Sequence, residues 1–204
     1  MCGRYYIANE DAAEELKQII DEVNRRNNGD MQVKMSGEIH PTDIVPVIVN
    51  NRKEESMAFA MKWGYTLSNG KPVFNARSET AAETAMFRDG VEKRRCLVPA
   101  TNYFEWQEIS KNNKIKYDIR AAEGHMIYMA GIYRWEGKMP VFSILTREPA
   151  ESIVHIHNRM PVILPNDIAK DWLNTKYSAT EIMSRAVTDV VATAVSPVQV
   201  GMLI

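Results

Sequence analysis

The chain has 204 residues, 45% of them hydrophobic and 25% charged, a balance typical of a soluble protein able to bury a core without disulfides or metal. Its net charge of −1 and pI near 6.4 exclude binding of polyanions through a global positive field, so any nucleic-acid contact must rest on a local basic patch. No stretch reaches the roughly 20 apolar residues of a membrane span, and Met-Cys-Gly-Arg-Tyr-Tyr at the start lacks a signal-peptide core, so a cytoplasmic protein with no membrane partner is expected.

No internal repeat, low-complexity tract or linker divides the sequence, and a single domain over residues 1–204 is expected. Residues 10–27 give the clearest helical signal. Asn9 is placed to cap this helix, Glu10 and Asp11 fall in its first turn, and Arg25 and Arg26 fall in its last. Leu16, Ile19, Ile20 and Val23 recur at i, i+3, i+4 and i+7, and Gly29 offers a stop. From about residue 43 to 146 the pattern is mostly β. Its runs are Val45–Val49, Met57–Trp63, Lys116–Ile119, Met126–Tyr133 and Val141–Leu145, with turns expected at Asn113 and Gly137. Asp167–Leu173 reads as a helix, and Ser178-x-x-Glu181 is a capping box that opens another. Val190–Val200 reads as a closing strand. Strands in a block with helices kept to the ends predict an α+β fold with a curved, mainly antiparallel sheet as its core.

Two cysteines, Cys2 and Cys96, imply no disulfide framework. Cys96 lies in an apolar run and reads as a small buried hydrophobe. Cys2 is different, because loss of Met1 would place an α-amine and a thiol on one residue. With reference pKa values of about 7.7–8.0 and 8.5, both groups would be partly nucleophilic near neutral pH. An aldehyde could form an imine with the amine, which the thiol would close to a five-membered ring. Taken alone, Cys2 reads more readily as an incidental residue at a frayed terminus. Three further segments are rich in chemistry: Phe74-Asn75-Ala76-Arg77-Ser78-Glu79-Thr80, Asn102-Tyr103-Phe104-Glu105-Trp106, and His155-Ile156-His157-Asn158-Arg159-Met160-Pro161. Aromatic neighbours would raise the pKa of Glu105 by desolvation. Singly, Glu105 reads equally well as a salt-bridged core carboxylate and His157 as a structural histidine.

Together with Met-Cys-Gly-Arg-Tyr, and with His40-Pro41-Thr42 and Met61-Lys62-Trp63-Gly64 as weaker matches, these segments resemble the SOS-response-associated peptidase (SRAP) family from Cys2 to about Leu164. The resemblance implies a sensor of abasic sites in single-stranded DNA, working as a monomer without cofactor, that bonds covalently to the site through Cys2, with accompanying lyase activity. It further implies that Asn75 positions the amine, Glu105 acts as acid and base, and His157 assists. Arg77, with Arg4 and Arg159, would bind phosphate, and Trp63 and Pro41 would serve as apolar platforms beside a splayed base. Trp106, Trp135 and Trp172 are assigned to core packing. The chain departs from the family pattern in two places: Trp63-Gly64 leads into Tyr65-Thr66-Leu67-Ser68, and Thr101-Asn102 replaces the usual Asp-Gly before the Glu105 segment.

Two other functions compete. A cysteine peptidase would pair Cys2 with His157, although with Met1 alone ahead of Cys2 there is no propeptide to release. A non-covalent reader of damaged or modified DNA would need the arginines and aromatics but not Cys2, Glu105 and His157 together. A metal site on His155-x-His157 lacks any supporting Cys-x-x-Cys or His-Glu-x-x-His pattern, so no metal is expected.

Overall fold

The strands divide into two main sheets that share one crossing point. The computed structural model describes residues 2–8, 14–27, 31–123 and 126–195. Its first sheet is antiparallel throughout and runs in the order Val190–Ala194, Asn113–Ala121, Asn102–Ser110, Tyr5–Ile7, Gly37–Ile39. Side chains alternate across a strand, and the register sorts this sheet into two faces. Tyr5 lies opposite both Ile39 and Tyr103, and Glu105 lies opposite Tyr117, on the inner face. Glu38 opposite Tyr6, and Lys116 opposite Trp106, belong to the outer face.

The second sheet closes on itself. Met139–Arg147 pairs in parallel with Ser56–Trp63, which pairs with Ile44–Asn50, then Arg95–Ala100, then Ile127–Glu136. Ile127–Glu136 returns to pair with Met139–Arg147, so these five strands form a small barrel filled by side chains. All six residues of Arg95–Ala100 are buried, because the strand faces the barrel interior on one side and the helix Asn166–Leu173 on the other. Trp172 of that helix donates its indole N–H to the Cys96 carbonyl at 3.0 Å. Helix Glu14–Asn27 lays buried Leu16, Ile19 and Val23 against the barrel strands, as its apolar period predicts.

Thr101 is the crossing point. It separates Arg95–Ala100 of the barrel from Asn102–Ser110 of the open sheet. Its backbone N–H donates to Tyr6 O at 2.8 Å, and its hydroxyl accepts from Ala8 N at 2.9 Å. This junction fixes where Glu105, four residues later, meets the N-terminal strand.

The α+β architecture with a mainly antiparallel strand core agrees with expectation, and that core consists of a barrel plus an open sheet. The turn expected at Asn113 falls one residue earlier, on Lys111–Asn112, where Asn112 adopts φ 70°; asparagine tolerates this left-handed conformation. Gly137 turns as expected at φ 63°. Ser178 does cap the helix Ala179–Ser184, accepting from Glu181 N at 3.3 Å. The expected roles of Asn9, Glu10, Asp11 and Gly29, and the expected strand beyond residue 195, lie outside the described residues.

Candidate active site

Cys2 is the first residue of the site and is fully buried. It sits three residues before a strand that is central in the open sheet, hydrogen-bonded to neighbours on both sides. Asn75 holds it from the barrel side. The strand Asn75–Arg77 pairs in parallel with Met139–Arg147, placing Asn75 opposite Ile144. From there the Asn75 side-chain amide donates to the Cys2 carbonyl oxygen at 2.8 Å. The other amide atom, Asn75 Oδ1, is buried and has no hydrogen-bond partner among the described residues. A buried acceptor left open in this way is costly.

Burial, and then the charge of Glu105, push the Cys2 thiol far above its ordinary value. Its Sγ lies 4.0 Å from the Arg4 carbonyl oxygen.

Glu105 shares the inner face of the open sheet with Tyr103, two residues earlier. It is 4% exposed. Burial raises its carboxyl to about 7, which leaves it poised between acid and base at neutral pH. Tyr103 is fully buried, and its hydroxyl has no hydrogen-bond partner among the described residues. Burial, and then the charges of Cys2 and Glu105, push that hydroxyl well above its ordinary value. Tyr103 was not singled out by sequence reasoning, although alternation along Asn102–Ser110 puts it on the face of Glu105.

His157 follows the short helical turn Glu151–Ile153. Its Nδ1 lies 3.0 Å from the Arg159 backbone nitrogen and 3.3 Å from the Arg159 carbonyl oxygen, so either tautomer finds a partner there. Burial holds its pKa below the ordinary histidine value, which favours the neutral ring at pH 7. His155 meets Tyr117 edge-on at 6.4 Å, and Tyr117 is the cross-strand partner of Glu105, so this segment abuts the sheet at the carboxyl.

The residues expected to touch DNA separate into three groups. Arg77 is exposed at the end of Asn75–Arg77, two residues beyond Asn75. Pro41 is half-buried in the turn after Gly37–Ile39. Arg4 is on the outer side, where its guanidinium lies 5.2 Å from the Trp106 ring centre and 3.2 Å from Glu38.

Two of the expected DNA contacts are engaged within the fold. The Arg159 guanidinium makes two 2.8 Å bonds to the Glu79 carboxylate and a 2.6 Å bond to Thr146 O. It works as a brace that joins the His157 segment to the helix beginning at Ser78. Trp63 is fully buried, packed parallel to Phe142 at 6.3 Å and tilted against Tyr5 at 5.1 Å, with its indole N–H donated to Phe74 O at 2.9 Å. Among the tryptophans assigned to the core, Trp172 is fully buried, Trp106 is half-buried, and Trp135 is 61% exposed on a hairpin.

Comparison with known proteins matches residues 1–203 to the family described as SOS response associated peptidase (SRAP). The chain is 31% identical over 193 residues to the Bacillus subtilis protein named abasic site processing protein YobE, covering 86% of this chain and 83% of that one. It is 29% identical over 141 residues to the Escherichia coli protein named abasic site processing protein YedK, covering 66% and 63%. A crystal structure of a Bacteroides thetaiotaomicron protein superimposes with a TM-score of 0.76 at 25% identity, covering 96% of this chain and 92% of that one. A Bordetella bronchiseptica structure, 22% identical with a TM-score of 0.72 over 96% and 100% of the two chains, shares the fold. The chain belongs to the SOS response associated peptidase (SRAP) family.

Proposed function

We propose that this protein processes abasic sites in single-stranded DNA by forming a thiazolidine crosslink through Cys2 once Met1 has been removed. Its relatives are named for abasic site processing. The observation that carries the reading is the clasp between Asn75 Nδ2 and the Cys2 carbonyl at 2.8 Å, which leaves Asn75 Oδ1 buried and open. An α-amine on Cys2 is the donor that this acceptor suits. A neutral amide orients such an amine without stabilising its protonated form as a carboxylate would.

An abasic deoxyribose is mostly a closed hemiacetal. Glu105 in its acid form protonates the ring oxygen, and in its carboxylate form takes the proton of the anomeric hydroxyl, releasing the aldehyde. The amine adds to the aldehyde carbon, and Glu105 in its acid form protonates the carbinolamine hydroxyl, which leaves as water beside His157 and gives an iminium ion. The Cys2 sulfur then adds to the iminium carbon while its proton passes to the Glu105 carboxylate. One water is lost overall, and no oxidant is required. Burial of the thiol suits this order, since a neutral S–H waits until the electrophile is formed beside it. The same burial counts against a cysteine peptidase, which needs a thiolate.

Intact-mass analysis after incubation with an abasic oligonucleotide tests the reading. Wild type should begin at Cys2 and gain the mass of the DNA less one water. Cys2→Ala should form no stable adduct while binding single strands with similar affinity. Stable adducts in Cys2→Ala at the wild-type level, or active protein that retains Met1, would overturn the mechanism.

A further inference from the structure

The outer face of the open sheet carries a second polar cluster that the chemistry does not use. Glu38, on the edge strand Gly37–Ile39, receives Lys116 Nζ in a short ion pair, Arg4 NH1 at 3.2 Å and His40 Nε2 at 3.8 Å. Lys116 Nζ also lies 3.8 Å from the Phe104 ring centre and 5.8 Å from that of Trp106. Arg4 lies over Trp106, its guanidinium carbon 5.2 Å from the ring centre. Two cations are thus held over two aromatic rings, and one carboxylate fills the space between them. Burial alone would raise the Glu38 carboxyl, yet bonds from Lys116 and Arg4 hold it below the ordinary carboxylate range. Its side chain remains 34% exposed, so an anion from solvent can reach the cations it occupies.

We infer that Arg4 and Lys116 form a phosphate clamp for single-stranded DNA, which Glu38 occupies as an internal stand-in for phosphate until DNA displaces it. The inference rests on the proposed reading that single-stranded DNA is the substrate. The position fits. Arg4 is two residues from Cys2, a backbone span of no more than about 7 Å, so the clamp opens beside the chain end that carries Cys2. The stand-in keeps the cations ordered and lowers affinity for passing polyanions, which is consistent with a protein of net charge −1.

Anisotropy of a labelled oligothymidylate without any abasic site, titrated at several salt concentrations, tests this. Glu38→Gln keeps the shape but removes the competing charge. Its affinity should rise roughly 3- to 10-fold at low salt, and the slope of log K against log salt should steepen by about 0.7, one extra phosphate on a single strand. Lys116→Ala should weaken binding and flatten the slope, while Lys116→Arg should retain it. In the Lys116→Ala background, the gain from Glu38→Gln should shrink, because the two residues act on one site. Unchanged or weaker binding by Glu38→Gln with a wild-type slope would overturn the clamp, as would full additivity of the two changes. Glu38→Ala, followed by circular dichroism, separates misfolding from lost binding. The probe offers no aldehyde, so failure of the covalent mechanism would leave these affinity shifts intact. Conversely, failure of the clamp would leave the wild-type adduct intact.

Discussion

Glu105 is where chemistry and stability oppose each other within one residue. Its carboxyl titrates near 7 in the fold and near 4.3 in an unfolded chain. Between those values the folded state binds the extra proton, so folding stability falls as pH rises through this window and levels off above it. The penalty at pH 8 is roughly 3–4 kcal/mol. Glu105→Gln should therefore melt higher than wild type at pH 8, and the advantage should vanish below pH 4.5. The same variant should crosslink ordinary abasic DNA about 10²–10⁴-fold more slowly, the scale of general acid–base catalysis. Melting curves against pH and single-turnover rates check both; a variant that is less stable at pH 8 and reacts normally would make Glu105 a structural carboxylate. The direction of this shift was legible from Tyr103, Phe104 and Trp106 around it. The state of the Cys2 thiol was not, because its burial depends on strands about 70 and 100 residues away. Arg159 and Trp63 misled for the same reason, since a residue type does not reveal whether Glu79 or Phe142 has already claimed it.

Among the elements, legibility followed the pattern of burial. Glu14–Asn27 and Asn166–Leu173 show one apolar face each and were read close to their observed limits. Arg95–Ala100 is buried on both faces, and Asn102–Ser110 mixes buried and exposed polar residues, so neither offered a clean alternation. Gly64 shows what a short connection demands. It joins Ser56–Trp63 to Tyr65–Thr66 at φ 116°, and an added Cβ would lie 2.9 Å from Pro72 Cβ. Its N–H donates to Phe142 O at 2.7 Å, tying this turn to the strand that aligns Asn75. Gly64→Ala should cost about 2 kcal/mol, or roughly 4–8 °C in Tm. Calorimetry checks this, and a melting point within a degree of wild type would show that the turn relaxes freely.

For the whole molecule, charge and closure matter most. A net charge of −1 leaves binding to a few cations, of which Arg77, Arg4 and Lys116 are the candidates. Three phosphate contacts on a single strand correspond to a log–log salt slope of about −2. Titration of wild type should give a value in that region, and Arg77→Ala a shallower one. A slope of about −6 would mean a far larger basic surface and would refute a local patch. Closure of the barrel was not legible in the sequence. It depends on parallel pairing of Met139–Arg147 with Ser56–Trp63, across some 80 residues, and no local period reports such a partner. The burial of Cys2 Sγ also bears on the lifetime of the protein. Peroxides and alkylating agents attack thiolates, and a sealed neutral thiol offers them little to attack. On the mechanism proposed above, the thiol is thus kept from oxidants until DNA reaches it.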